Sequence, residues 1–130
     1  MILLPALLAA CAGNRQEDIV YTDDRGVANQ PFPTDYRAQL LAFFRTYLNN
    51  PVGVRDAVIA EPMQRTIGGR LRYIACLRYN ARELDGSYRG VVERAVVFVD
   101  ARLDRVAADA GDACAGAVYG PFPDLEKMTR

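Results

Sequence analysis

The sequence predicts an α+β domain: one amphipathic helix packed on a three- to four-stranded antiparallel sheet, with the C-terminal tail crossing the other face. Three observations carry that expectation. Tyr36, Leu40, Phe43, Phe44 and Tyr47 recur at helical spacing. Residues 70–82 alternate apolar and polar side chains, the period of a strand. Ala95-Val96-Val97-Phe98-Val99 is apolar on both faces, as suits a strand covered on both sides.

The helix follows Pro31-Phe32-Pro33, which stiffens the approach. Thr34 or Asp35 is placed to cap it, and Phe32 to fold back on its first turn. Leu41 and Leu48 widen the apolar stripe, and Asn50-Pro51 ends the helix. Residues 54–61 are rich in β-branched side chains and read as a first strand stopped by Pro62. Gly68-Gly69 marks a turn. In the strand that follows, Leu71, Tyr73, Ala75, Leu77 and Tyr79 fall on the face that meets the helix. Arg70, Arg72, Ile74, Cys76, Arg78, Asn80 and Arg82 fall on the other. Residues 83–90, with Asp85-Gly86, read as a hairpin loop leading into a third strand over residues 91–99. Asp100-Ala101-Arg102 either turns the chain into a short fourth strand, residues 103–107, or lets the third strand continue. The tail carries Cys114, Tyr119 and a second Pro-Phe-Pro, and residues 124–128 suit a last helical turn. Both Pro-Phe-Pro triplets read best as anchors pinning loops to the core, and a paired docking surface is the functional alternative.

The apolar run at the start is roughly half the length that a membrane-spanning helix requires. It suits the apolar core of a secretory signal and ends in Leu8-Ala9-Ala10-Cys11. These residues resemble the lipobox of bacterial lipoproteins, although no Lys or Arg precedes them. The resemblance implies a signal peptide over residues 1–10, cleavage before Cys11 and acylation of that cysteine with palmitate-like chains. Each buried acyl CH₂ contributes about 0.8 kcal/mol, so two or three chains anchor a protein firmly. Ala12, where retained lipoproteins carry aspartate, implies the periplasmic side of the outer membrane rather than the inner membrane. The plainer alternative is an ordinary N-terminal helix and an ordinary cysteine. Residues 11–33 are then a polar tether, too rich in charge to pack, and residues 34–130 a single domain. With Cys11 lipidated, Cys76 and Cys114 are left as a pair, and an oxidising compartment favours a disulfide over two buried thiols. The domain looks like other small periplasmic lipoproteins. Its helix-then-sheet order is also similar to accessory lipoproteins of the barrel-assembly machinery and to β-lactamase-inhibitor-like folds, which carry two helices before the sheet.

Net charge is zero, so nothing in the bulk electrostatics favours nucleic acid. The chain has no histidine, the commonest general base and transition-metal ligand. No phosphate loop and no metal-ligand spacing occurs, so neither cofactor nor metal is expected. Ser87 is the only serine and lacks a nucleophile-elbow context. Glu93 with Asp100 or Asp104 is the one candidate carboxylate pair of glycosidase type. Every basic residue but Lys127 is arginine. Arg70, Arg72, Arg78 and Arg82, with Arg94 as a candidate neighbour, form a candidate anion-binding face. Solvated arginines paired across strands to Glu93, Asp100 or Asp104 are the alternative. The expectation is a non-enzymatic, lipid-anchored envelope protein that binds an envelope protein or an anionic envelope component. A second expectation, from another class, is a small inhibitor of a hydrolase such as lysozyme, entering its cleft with Asp85, Tyr88 and Arg89 and with Tyr88 at the loop tip.

Overall fold

A computed structural model describes residues 29–129. The expected signal segment, Cys11 and most of the tether lie outside the described residues. Helix α1 (Tyr36–Tyr47) is followed by strands β1 (Arg55–Ile59), β2 (Met63–Ile67), β3 (Arg70–Asn80), β4 (Val92–Val99) and β5 (Arg102–Val106). The tail adds a short helix α2 (Ala110–Ala113), a two-residue strand β6 (Gly120–Pro121) and a last turn α3 (Pro123–Glu126). The class is α+β with an antiparallel sheet, but the described residues form six strands and three helices, more than the sequence predicts. None of these helices is long and apolar enough to cross a membrane.

Strand order is β5-β4-β3-β1-β6, with β2 also paired to β3. Eleven-residue β3 is long enough to hold β2 along its first half and β1 along its second. Between them Pro62, which has no N–H to donate, interrupts what would otherwise be one strand. Gly68 and Gly69 both have positive φ, 58° and 78°, and close the β2–β3 hairpin. Asp100 and Ala101, at φ 51° and 60°, close the β4–β5 hairpin in the same way, which settles the fourth strand.

Tyr36, Leu40, Phe44 and Leu48 are buried on one side of the sheet, with Ala75, Leu77, Tyr79, Val96 and Phe98 beneath them. Phe32 packs edge-on to Tyr36 and Tyr73, at 6.4 and 5.3 Å between ring centroids, as a staple does. Pro33 is fully buried and the Asp100 N–H donates to Gln30 Oε1 at 2.6 Å, so the end of the expected tether is docked on the domain. The expected cap takes a different form. Asp35 occupies the cap position without a side-chain cap bond, and its Oδ1 accepts from Gln39 Nε2 at 2.7 Å. Gln39 Nε2 also donates to the Ala101 carbonyl at 2.8 Å, and the Leu103 N–H donates to Gln39 Oε1 at 2.7 Å. One amide thus fastens α1 to the β4–β5 hairpin with its donors and acceptor all used.

The opposite face carries a smaller core of Ala60, Ile74, Cys76, Ala95, Val97, Ala113 and Cys114. Cys76 points away from α1, as the alternation implies, and is joined to Cys114 across 38 residues. The tail covers this face only as far as Tyr119. From β6, paired to β1, it rounds the sheet edge. Phe122, Leu125 and Met128 then enter the core beneath α1. The second Pro-Phe-Pro is therefore an anchor, its phenylalanine fully buried.

Candidate functional site

Antiparallel pairing places Leu77 opposite Arg94 and Arg78 opposite Glu93. Residues directly opposite share a face. Arg94 therefore lies on the α1 side, and its expected place beside Arg78 is corrected by this register. The remaining arginines do not form one patch either. From Arg70 to Arg82 is twelve residues, roughly 40 Å of extended strand. Arg72 is buried and donates from Nη1 to the Leu71 carbonyl at 2.9 Å, and Arg70 stands opposite Ile67 near the β2–β3 turn. Arg78 is already engaged. Its Nε donates to Glu93 Oε2 at 2.8 Å, and its guanidinium lies 4.2 Å from the Tyr119 ring centroid. Tyr119 donates to the same Glu93 oxygen at 2.6 Å. This cluster latches the tail to the sheet beside the disulfide.

Glu93 is also remote from its supposed carboxylate partners. Asp100 is seven residues along, about 23 Å of strand, where a glycosidase pair needs roughly 5–9.5 Å. Asp104 sits beside Val97 and Phe98, at least four residues up the sheet.

The loop after β3 is built from within. Asp85 Oδ1 accepts from the Ser87 N–H at 2.9 Å and the Ser87 hydroxyl at 2.6 Å, and these bonds hold its carboxyl below the ordinary carboxylate value. The Gly86 N–H reaches the Glu83 carbonyl at 3.0 Å, which makes Leu84 and Asp85 the tip. Tyr88 is not the tip, contrary to expectation. Its hydroxyl donates to the Gly53 carbonyl at 2.6 Å, and the Arg55 guanidinium lies 3.9 Å from its ring centroid. Gly53 is needed there: at φ 82°, an added Cβ would stand 3.1 Å from the Tyr88 oxygen.

This loop, the last turn of α1, the end of β3 and the start of β4 enclose a cleft of about 320 Å³. Arg82, Arg89 and Arg94 line it with Tyr47, Tyr79 and Glu83. Members of both expected sets, the arginine face and the loop, thus meet at one place. Leu48 and Val92 give it apolar walls. Arg94 Nη1 donates to the Glu93 carbonyl at 3.0 Å. Glu83 is 3.9 Å from Arg89, whose side chain is 81% exposed, so that pair is loose. Three guanidinium groups against one carboxylate suit a carboxylate or phosphate guest, and the partly dry walls strengthen the attraction. Among the described residues no group of three metal-ligating side chains occurs.

Burial pushes the Tyr79 hydroxyl up to about 12, against the opposing charge of Arg94. Burial, then the bond to Glu93, pushes Tyr119 up to about 12 as well. A raised phenol is neutral in the folded state where the unfolded chain would ionise. Its stabilisation is therefore complete below pH 10 and lost as pH rises through 12. Urea unfolding followed with pH, with tyrosinate absorbance alongside, is expected to show stability falling over that window. A flat profile there would contradict both burials.

No protein-family model, curated protein or solved structure matches the chain.

Proposed function

We propose that this chain is a lipid-anchored, non-enzymatic binding module of the bacterial envelope. It is acylated on Cys11, held on the periplasmic side of the outer membrane, and takes an anionic group of an envelope partner in the cleft at the end of α1. The anchor rests on the lipobox-like Leu8-Ala9-Ala10-Cys11. The disulfide supports an oxidising compartment. The observation that carries the binding is the meeting of Arg82, Arg89 and Arg94 around one tyrosine-lined cleft. The test is in-cell photocrosslinking from a benzoylphenylalanine placed at the exposed cleft residue Asn49 in the full chain. Crosslinks to an envelope partner are expected, weakened about tenfold or more by Arg94→Gln, which removes a charge-assisted bond. They are also expected to be lost in a Cys11→Ser variant that no longer incorporates palmitate. Crosslinks indifferent to Arg94, or a chain found unacylated in the cytosol, would overturn the reading.

One observation favours the hydrolase-inhibitor alternative. Leu84, 78% exposed, stands at the tip of a loop that Asp85 and Tyr88 hold rigid. That reading needs Leu84, not Tyr88, to enter the enzyme's cleft, and a lysozyme inhibition assay with Leu84→Asp separates the two.

A further inference from the structure

We infer that the disulfide face carries a second site, distinct from the cleft, that takes a short free peptide by both of its charged ends. A groove of about 530 Å³ lies there between β2 and the segment joining β5 to α2. Its size falls within the roughly 300–1,000 Å³ of small-molecule sites. Two arginines line it, Arg65 from β2 and Arg105 from β5, and so do two carboxylates, Asp109 and Asp112. Ile67, Val106, Ala107 and Ala113 supply small aliphatic walls between these charges.

Both arginines retain bonding capacity. Arg65 spends its donors on neutral acceptors, the carbonyls of Gln64 and Ala115, each at 2.9 Å, and the Met63 sulfur at 3.4 Å. Its charge is therefore not matched by those bonds. Arg105 Nη1 is buried and has no hydrogen-bond partner among the described residues, with Asp104 Oδ2 3.9 Å away. That nitrogen is closed off from the groove, but 35% of the Arg105 side chain is exposed, and this open part is what a guest carboxylate would meet.

The remaining groups narrow the guest. A multivalent anion such as a free phosphate would meet Asp109 and Asp112 in the same groove and be repelled. A purely apolar guest would cover charged groups without pairing them. An aliphatic body with a carboxylate at one end and an ammonium at the other pairs both sets at once, the carboxylate with Arg65 and Arg105, the ammonium with Asp109 and Asp112.

The test uses the full, disulfide-bonded chain and three probes: tri-alanine, its N-acetyl form and its C-terminal amide. Amide NMR shifts are expected to saturate with tri-alanine at Ile67, Ala107 and Ala113. Capping either end should weaken binding about tenfold or more, the loss of one charged contact. Arg105→Gln and Arg65→Gln should weaken it similarly, whereas Arg94→Gln, in the cleft, should not. Because the capped peptides are tested on the unaltered protein, the result does not depend on how the variants fold. No saturable shift, capped peptides that bind as tightly as the free one, or shifts that map to the cleft instead would each overturn the inference.

Discussion

Replacing Phe44 with alanine is expected to lower the free energy of unfolding by about 3–5 kcal/mol, a large share of the roughly 5–15 kcal/mol that a domain of this size has. Phe44 is fully buried at the middle of the helix-side core. Its ring meets Phe43, Tyr47 and Tyr79 edge-on, each at 5.3 Å between centroids. Removing it takes away both the transfer free energy and these ring contacts. The site cannot collapse to compensate, because its floor is β3 and β4, held by seven consecutive paired positions. A twelve-residue helix is marginal without tertiary packing, so the loss falls on α1 as a whole. Tyr47 and Leu48 line the cleft from the end of that helix, and cleft binding should weaken in parallel. Half-buried Phe43 is the control, and Phe43→Ala should cost clearly less. Urea unfolding by circular dichroism measures both, and a Phe44→Ala cost below about 1.5 kcal/mol would mean that the helix is held by something other than this ring.

The α1 stripe and the β3 alternation were legible because each element is long enough for its period to repeat, even though the middle of β3 is buried on both faces. Strand β2 was not. Its inward residues Met63, Arg65 and Ile67 are only half-buried, and two of its five positions are exposed. Gly68-Gly69 still held the missing information, since a two-residue turn implies strands on both sides. A four-residue helix such as α2 completes one turn and shows no period. The return of the tail was written in Phe122, Leu125 and Met128, spaced three apart, but nothing local says which face they reach. Arg94 was misplaced for a different reason. Which face it shares with β3 depends on register, and register depends on the length of the connecting loop. Here even-numbered residues of β3 face with odd-numbered residues of β4, so Arg94 joins Leu77 and not Arg78. That one register turns a supposed five-arginine face into an ion pair at Arg78 and a cleft at Arg94.

Removing the disulfide, by reduction or by Cys76→Ala with Cys114→Ala, is expected to cost about 4 kcal/mol, the chain-entropy value for a separation of 38 residues. The loss should not be uniform. The helix-side core holds the large rings Phe44, Phe98 and Phe122, and its burial does not depend on the bond. The opposite core is mostly alanine around the two cysteines, with Ile74 and Val97 as its large side chains. Burial is worth roughly 25 cal/mol per Å² of apolar surface, so small side chains contribute little. Helix α2 cannot hold its place with four residues alone. What remains is the Arg78–Glu93–Tyr119 cluster and the Arg65 bond to the Ala115 carbonyl, both partly exposed and therefore modest. Hydrogen exchange on the reduced protein should show residues 108–119 opening first, with β3 and β4 still protected. A cost below about 1 kcal/mol, or exchange that rises evenly along the chain, would show that the tail is held by its side chains instead. The consequence for binding is selective. Asp109, Asp112 and Ala113 form one wall of the peptide groove, and that wall is attached through Cys114. Reduction should abolish tri-alanine binding while leaving the Arg94 cleft intact. The groove then exists only where the bond persists, in an oxidising compartment.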